Sequence, residues 1–157
     1  MRTFALLLLT TSLCSASVVT EGLLDAIKEV ESLNGLAMSG DKGAASGWYH
    51  FHRAAWTDVN KLRAKDNLKQ YPYSYARHEY ISRVYARTYL KWLEERVNKE
   101  IGPKYTCSQH GLYLTWCYGF SKFKRMGFRR SNASTSANAR AAGVQNLAQE
   151  LDKKRSP

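Results

Sequence analysis

The stretch DAIKEVESLNG, residues 25–35, decides the fold of the first part of the chain. Together with the residues before it, the stretch repeats apolar side chains at helical spacing: Leu23, Leu24, Ile27 and Val30. Residues spaced in this way lie on one face of an α-helix, so the pattern predicts a helix with one buried stripe. Glu31 continues this stripe, whereas Glu29 points to the opposite, solvent side with Asp25. Glu31 is therefore predicted to be a carboxylate held against apolar side chains, which is costly without a partner or a use.

The chain begins with MRTFALLLLTTSLCSAS, residues 1–17, which has a basic start, an apolar run and small residues near its end. This pattern is typical of a secretory signal peptide, with cleavage before Val18 or one residue earlier, after Ala16. No later apolar run reaches the length of about 20 residues that a membrane-spanning helix needs. We therefore expect a secreted or periplasmic protein with no integral membrane segment in the mature chain.

The formal net charge of +11 predicts a basic surface. On an exported protein, such a surface favours cell-wall polymers, anionic lipids or other secreted polyanions over nucleic acid. Removal of the leader from the 157 residues leaves a chain of about 140, enough for one domain with a single core. We expect a monomer.

The predicted fold class is mainly α, with a small irregular hairpin or loop after the first helix. Helices are expected at Glu21–Ser32, 53–63, 74–102, His110–Tyr118 and Ala137–Lys153, with a basic loop before the last. Residues 18–130 are predicted to form the domain. Residues 131–157 would form a linker and a C-terminal helix that packs on the same domain.

Cleavage of the leader would leave Cys107 and Cys117 as the only cysteines. In an oxidising compartment, two such cysteines are expected to form a disulfide. A continuous helix between them would span about 15 Å, whereas a disulfide requires Cα atoms within about 7 Å. The alternative is that both remain free thiols.

The order of motifs in this sequence resembles that of the lysozyme superfamily, in particular the soluble lytic transglycosylases and the phage-type and invertebrate-type lysozymes. A helix ends in Glu31-Ser32, and the Gly-rich segment SGDKGAASGWYHFH follows at residues 39–52. Next come the Trp56-Thr57-Asp58 segment and ISRVYARTYLKWL, residues 81–93, which is similar to the central helix of these families. The likeness covers about residues 21–120.

Four residues, in two segments, depart from the family pattern. His50 stands where glutamine is usual. The segment GLYLTWCYGF, residues 111–120, occupies the place of the family's Ala-Arg-x-His-Asn-Gly-Gly, and Trp116, Cys117 and Tyr118 replace its His, Asn and first Gly.

The resemblance implies an α+β lysozyme-like domain that cleaves the β-1,4 bond between N-acetylmuramic acid and N-acetylglucosamine in peptidoglycan. It implies Glu31 as the catalytic acid and base. The substrate-binding residues are then expected to be Ser32, Asp41, Gly47, Tyr49, His50 and Trp56. No cofactor and no metal are expected, because no cysteine or carboxylate completes a recognised ligand spacing with His50 and His52.

The chemistry leaves alternatives open. A carboxyl group that stays protonated in apolar surroundings suits proton donation to a leaving oxygen. Asp41 or Asp58 could supply a second carboxylate for hydrolysis. In lytic transglycosylases, one glutamate serves as acid and then base while a sugar hydroxyl closes an anhydro ring, and this route is slightly favoured here. The rival interpretations are a non-catalytic lysozyme-like protein that binds cell-wall polymer or another secreted ligand, a cationic membrane-active protein, and a purely structural role for Glu31 at the helix end.

Overall fold

A computed structural model describes residues 16–102 and 106–156 of the chain. The protein is mainly helical with a small three-stranded sheet, as predicted. Its elements are α1 Glu21–Ser32, β1 Ser39–Gly40, β2 Ala45–Ser46, β3 Phe51–His52, α2 Arg53–Lys65, α3 Glu79–Ile101, α4 Gln109–Tyr118, α5 Phe120–Arg125 and α6 Thr135–Arg155. Almost all of the predicted signal peptide lies outside the described residues. Within the described ranges, none of the helices has the length and apolar character needed to cross a membrane.

Helix α1 has the predicted bounds. The Thr20 side chain caps it by accepting a hydrogen bond from the Leu23 amide, which satisfies one of the unpaired N–H groups of the first turn. The helix ends at Ser32, and its C-cap residue Leu33 has a left-handed φ of 49°. In the predicted stripe, Leu23, Leu24 and Ile27 have at most 1% of their surface exposed, and Val30 is partly buried.

The sheet is antiparallel, in the order β1-β2-β3, with Gly40 opposite Ala45 and Ser46 opposite Phe51. Gly47 makes the turn after β2 possible. Its φ is +84°, and a Cβ atom there would lie 1.8 Å from the Ala76 carbonyl oxygen. Only glycine fits this close approach, which holds the sheet against the chain just before α3.

Helix α3 crosses the core and begins at Glu79, five residues later than predicted, because residues Tyr73–Arg77 form a separate 3-10 helix. Tyr80 is 69% exposed because it lies in the first turn of the helix, beyond the edge of the core. The buried side chains follow helical spacing and include one carboxylate: Ile81, Ser82, Tyr85, Ala86, Leu90, Leu93, Glu94 and Val97.

The predicted basic loop before the last helix contains the short helix α5. Phe120 and Phe123 lie three residues apart, so both point into the core, where they are 8% and 1% exposed. The basic residues between and after them stay at the surface. The two phenylalanine side chains therefore pack this segment against the domain.

Helix α6 packs against α1 and α4. Gly22 of α1 allows the backbone of α6 to approach closely, since a Cβ at Gly22 would lie 2.4 Å from the Ala148 carbonyl oxygen. The Gly22 amide also donates a hydrogen bond to Asp152 at 2.8 Å. The first and last helices are therefore directly paired.

The possible disulfide between Cys107 and Cys117 is not formed, and both thiols are free. Cys107 precedes Ser108, the N-cap of α4, and Cys117 lies in the last turn of the same helix. The helix between them is uninterrupted, so the separation of about 15 Å expected for such a segment prevents a bridge.

Asp25, predicted to face solvent, instead lies in an ion-pair network that links three helices. It accepts hydrogen bonds from Arg83 on α3 and Arg155 on α6, and Arg83 also pairs with Glu21 at 2.8 Å. Burial alone would raise the pKa of Asp25, but the hydrogen bonds from Arg83 and Arg155 outweigh it and lower the pKa. The lowered pKa means that folding favours the ionised form.

We expect Asp25→Asn to lower the free energy of unfolding at pH 7 by about 1 kcal/mol, since such pairs are partly screened by water. The contribution is fully present above the unfolded pKa of about 3.9 and is lost as the pH falls through the lower folded pKa. Urea unfolding at pH 7 and near pH 3 should therefore show a difference that shrinks on acidification. Glu29→Gln, at an exposed position of the same helix, is the control, and an equal loss in both variants would contradict the prediction.

Candidate functional site

Glu31 lies in the last turn of α1, and its side chain is 11% exposed. Its Oε1 accepts a hydrogen bond from the Tyr113 hydroxyl of α4 at 2.6 Å. Its Oε2 lies 3.5 Å from Nδ1 of His50. The structure thus places Glu31 where the sequence predicted, sheltered but open to a small cavity of about 90 Å³.

The His50 ring is fixed by its other nitrogen. Nε2 lies 2.8 Å from the Ala37 carbonyl oxygen, and because a carbonyl only accepts, Nε2 must carry a hydrogen. Nδ1, the other ring nitrogen, then lies on the side of Oε2 of Glu31, at 3.5 Å. The backbone contact therefore holds the imidazole ring beside the carboxyl group.

Tyr113 is fully buried. Burial, followed by the nearby Glu31 carboxylate, holds the pKa of Tyr113 well above its ordinary value. The phenol therefore keeps its proton at neutral pH and can donate to Oε1. This hydrogen bond fixes the orientation of the carboxyl group, leaving Oε2 towards His50.

The cavity at Glu31 is one end of a longer groove, formed by three adjoining cavities of about 90, 290 and 330 Å³. The first two share His50, His52, Trp116 and Cys117 as lining residues. The second and third share Asp58, Tyr89, Tyr118 and Gly119. The groove thus runs from the end of α1, past the C-terminal end of α4, to α5.

Aromatic side chains form much of the groove wall. Trp116 is half-buried and packs edge-on against Phe51 and Tyr89, with ring centres 5.0 and 5.6 Å apart. At the far end, the Arg96 guanidinium lies 4.5 Å from the ring centre of Trp92. Flat aromatic faces of this kind suit the C–H faces of sugar rings.

Of the two candidates for a second carboxylate, only Asp41 lines the same cavity as Glu31. Its Oδ2 lies 2.7 Å from Nε2 of His52. Asp58 lines the two more distant cavities and pairs with Lys61 at 3.2 Å. Asp41 is therefore the carboxylate that is positioned to act near Glu31.

Cys117 also lines the cavity at Glu31. Desolvation of the thiol, followed by the nearby Glu31 carboxylate, raises the pKa of Cys117 to about 12. The thiol is therefore protonated at neutral pH. Since the thiolate is the reactive form, chemistry based on a cysteine nucleophile is not favoured here.

Four predicted binding residues have structural positions instead. Tyr49 has no exposed surface and Trp56 has 1%, so neither side chain can touch a ligand. Trp56 stacks on Tyr85, and its indole N–H donates to the Tyr71 carbonyl oxygen. Ser32 is buried, donates to the Lys28 carbonyl oxygen and accepts from the Gly35 amide. Gly47 serves the turn after β2.

The sequence did not single out Tyr113 or Arg140, and it treated Trp116 only as a departure from a motif. Arg140 lies on α6 and lines the cavity at Glu31. Tyr113, and to a smaller extent Glu31, raise the pKa of its guanidinium. No local signal identifies Arg140, because it reaches the site only through the packing of the last helix on α1 and α4.

A larger cavity lies elsewhere in the described part of the chain. It is an open recess of about 760 Å³ lined by His110, Arg130 and part of α6, and no carboxylate lines it. Size alone does not identify a site. The groove at Glu31 combines a sheltered acid, a second carboxylate and aromatic walls, and is therefore the candidate functional site.

Comparison with protein-family models, curated proteins and solved structures gives no match to this chain. The geometry of the groove and the motifs of the sequence are therefore the basis for its function.

Proposed function

We propose that the protein is an exported glycosidase that cleaves the β-1,4 bond between N-acetylmuramic acid and N-acetylglucosamine in peptidoglycan, as a lytic transglycosylase or a lysozyme. The observation that supports this most is the sheltered Glu31 carboxyl group, which lies between the Tyr113 hydroxyl and the His50 ring at one end of an aromatic groove. The resemblance of the surrounding motifs to the lysozyme superfamily supports peptidoglycan as the substrate.

In the first step, Glu31 would donate its proton to the glycosidic oxygen as the bond to the anomeric carbon breaks. The leaving sugar departs with a new hydroxyl group, and the remaining sugar carries an oxocarbenium-like charge. Glu31 is then ionised. The hydrogen bond from Tyr113, at 2.6 Å, would stabilise this anion.

In the second step, Glu31 would accept a proton from the group that attacks the charged carbon. In a lysozyme this group is water, and the product has a reducing end. In a lytic transglycosylase it is the sugar's own hydroxyl, and the product is an anhydro sugar. Asp41 lies in the same cavity and would stabilise the developing positive charge or act as a nucleophile.

Mass spectrometry of the soluble products from purified peptidoglycan tests this proposal. Anhydro-muramyl products that Glu31→Gln does not form would support a lytic transglycosylase. New reducing ends, equally lost in that variant, would support a lysozyme. The proposal would be refuted if neither product appeared with a folded protein over a range of pH.

The second candidate function is non-catalytic binding of an anionic wall polymer. This function is supported by the end of the groove at α5, where basic side chains lie over aromatic rings. Arg96 lies 3.7 Å from the ring centre of Phe120, and the Lys122 ammonium lies 4.9 Å from that of Tyr118. Sedimentation with insoluble peptidoglycan, equal for the unmodified chain and Glu31→Gln and without any product, would support this function.

Arg140 would determine the preference for an anionic glycan. It forms no salt bridge with any carboxylate of the described residues, so its charge is available beside Glu31. The ligand for this test is peptidoglycan glycan from which the stem peptides have been removed, and the protein carries Glu31→Gln so that it does not cleave the glycan. We expect the further substitution Arg140→Gln to weaken binding about tenfold, which corresponds to the loss of one charge-assisted hydrogen bond. Calorimetry would measure this affinity.

Neutral chitin oligosaccharides of the same length should bind equally with and without Arg140→Gln. Lys153→Gln, at the exposed end of the same helix, makes the same change in net charge and is the matched control. Equal weakening by both variants, or an equal loss for the neutral glycan, would contradict a specific role for Arg140.

A further inference from the structure

Glu94 lies in the middle of α3 and is only 7% exposed. Its two carboxylate oxygens accept hydrogen bonds from the Ser17 hydroxyl at 2.6 Å and from the Val18 backbone N–H at 2.8 Å. No Lys, Arg or His within 16–102 and 106–156 forms a salt bridge with it. A buried carboxylate is rare without a cationic partner, yet both donors here are neutral.

The segment that reaches Glu94 is held firmly in place. The Gln109 side-chain amide of α4 donates hydrogen bonds to the Val18 carbonyl oxygen and to the Thr20 hydroxyl, each at 3.2 Å. Thr20 in turn caps α1. The nitrogen of Val18 is therefore fixed against Glu94 by two other helices.

We propose that Glu94 is a binding site for the N-terminal ammonium group of the mature protein, created by hydrolysis of the Ser17–Val18 peptide bond. The C–N bond breaks, the hydroxyl of water goes to the Ser17 carbonyl carbon, and its proton goes to the Val18 nitrogen. The new amine takes up one more proton from solvent and becomes an ammonium group. Its three N–H donors replace both the amide N–H and the Ser17 hydroxyl that leaves with the leader.

This geometry distinguishes between the two cleavage positions that the sequence allows. Cleavage after Ala16 would place the ammonium on Ser17, which reaches Glu94 through its hydroxyl group. Cleavage before Val18 places the charge on the one backbone nitrogen that already lies 2.8 Å from the carboxylate. The inference is independent of the proposed glycosidase activity, since it concerns the opposite end of α1 from Glu31.

The test compares the thermal unfolding of two proteins, one starting at Val18 and one with Gly-Ser placed before Val18. The first should melt at least about 4 °C higher, because only it carries the charge beside Glu94. Glu94→Gln should remove this difference, whereas Glu95→Gln, at the exposed neighbouring position, should leave it intact. N-terminal mass analysis of the exported protein should give Val18 as the first residue.

Equal melting temperatures for the two N-termini, with Glu94 present, would overturn the proposal. This comparison needs no substitution, so it decides the question even if Glu94→Gln prevents folding. An exported protein that begins at another residue and is as stable as the one beginning at Val18 would also overturn it.

Discussion

Glu31→Gln should lower the rate of glycan cleavage by about a thousandfold, within the range of general acid–base catalysis. Glutamine has nearly the same shape and still accepts the hydrogen bond from Tyr113, but it has no acidic proton to donate. The protein should remain folded and should still bind peptidoglycan, because the groove walls are unchanged. Release of soluble fragments, measured at several pH values, gives the rate.

Glu29→Gln is the matched control for this experiment. It makes the same change two positions away, on the exposed side of α1, and should leave the rate unchanged. A rate for Glu31→Gln within about threefold of the unmodified chain would exclude Glu31 as the general acid, since a catalytic proton donor contributes at least about a hundredfold.

Trp56→Ala should have the largest effect on stability, a loss of about 3 to 5 kcal/mol. Trp56 is almost fully buried, and its ring stacks on Tyr85 with ring centres 3.9 Å apart. Removing it would leave a large cavity between α2 and α3. Asn60 also donates to the Tyr71 carbonyl oxygen, so this oxygen would remain hydrogen-bonded and the loss would come mainly from packing.

Trp116→Ala provides the contrast. This tryptophan is half-buried and lines the groove, so its loss should reduce glycan affinity more than it reduces stability. Urea unfolding and peptidoglycan sedimentation, measured on both variants, separate the two effects. The assignment of Trp56 to the core and Trp116 to the groove would be contradicted if Trp56→Ala kept full stability and lost binding.

Local patterns predicted the helices well because helical periodicity is a property of neighbouring residues. The apolar stripe at Leu23, Leu24 and Ile27 established α1, and it also gave the sheltered position of Glu31. The same reasoning began α3 too early, at residue 74 instead of Glu79, because periodicity does not separate an α-helix from the short 3-10 helix Tyr73–Arg77 that precedes it. It also missed α5, whose two phenylalanines are outnumbered by basic residues.

The binding residues were harder to predict, because burial in the Gly-rich segment depends on how the backbone turns. Tyr49 and His50 both lie in the turn between β2 and β3, where His50 has a left-handed φ of 44°. In this turn Tyr49 is fully buried, while the His50 ring lies 3.5 Å from Glu31. The sequence predicted both as cleft residues because they are adjacent in a motif, and only His50 lies in the groove.

The remaining site residues are distant along the chain. Tyr113 bonds to Glu31 across 82 positions, and Arg140 comes from a helix that the sequence assigned only a packing role. Neither periodicity nor a sequence motif predicts that Tyr113 and Arg140 lie beside Glu31. It follows from the three-dimensional pairing of α1 with α4 and α6.

The close pairing of α1 with α6 also determines when the protein can fold. The hydrogen bond between the Gly22 amide and Asp152 joins residues 130 positions apart. Contacts of this separation form late, because a long loop must be closed before they contribute. A ribosome that still holds α6 would therefore keep α1 without its partner. The domain can complete its core, and assemble the cavity around Glu31, only after α6 has been released.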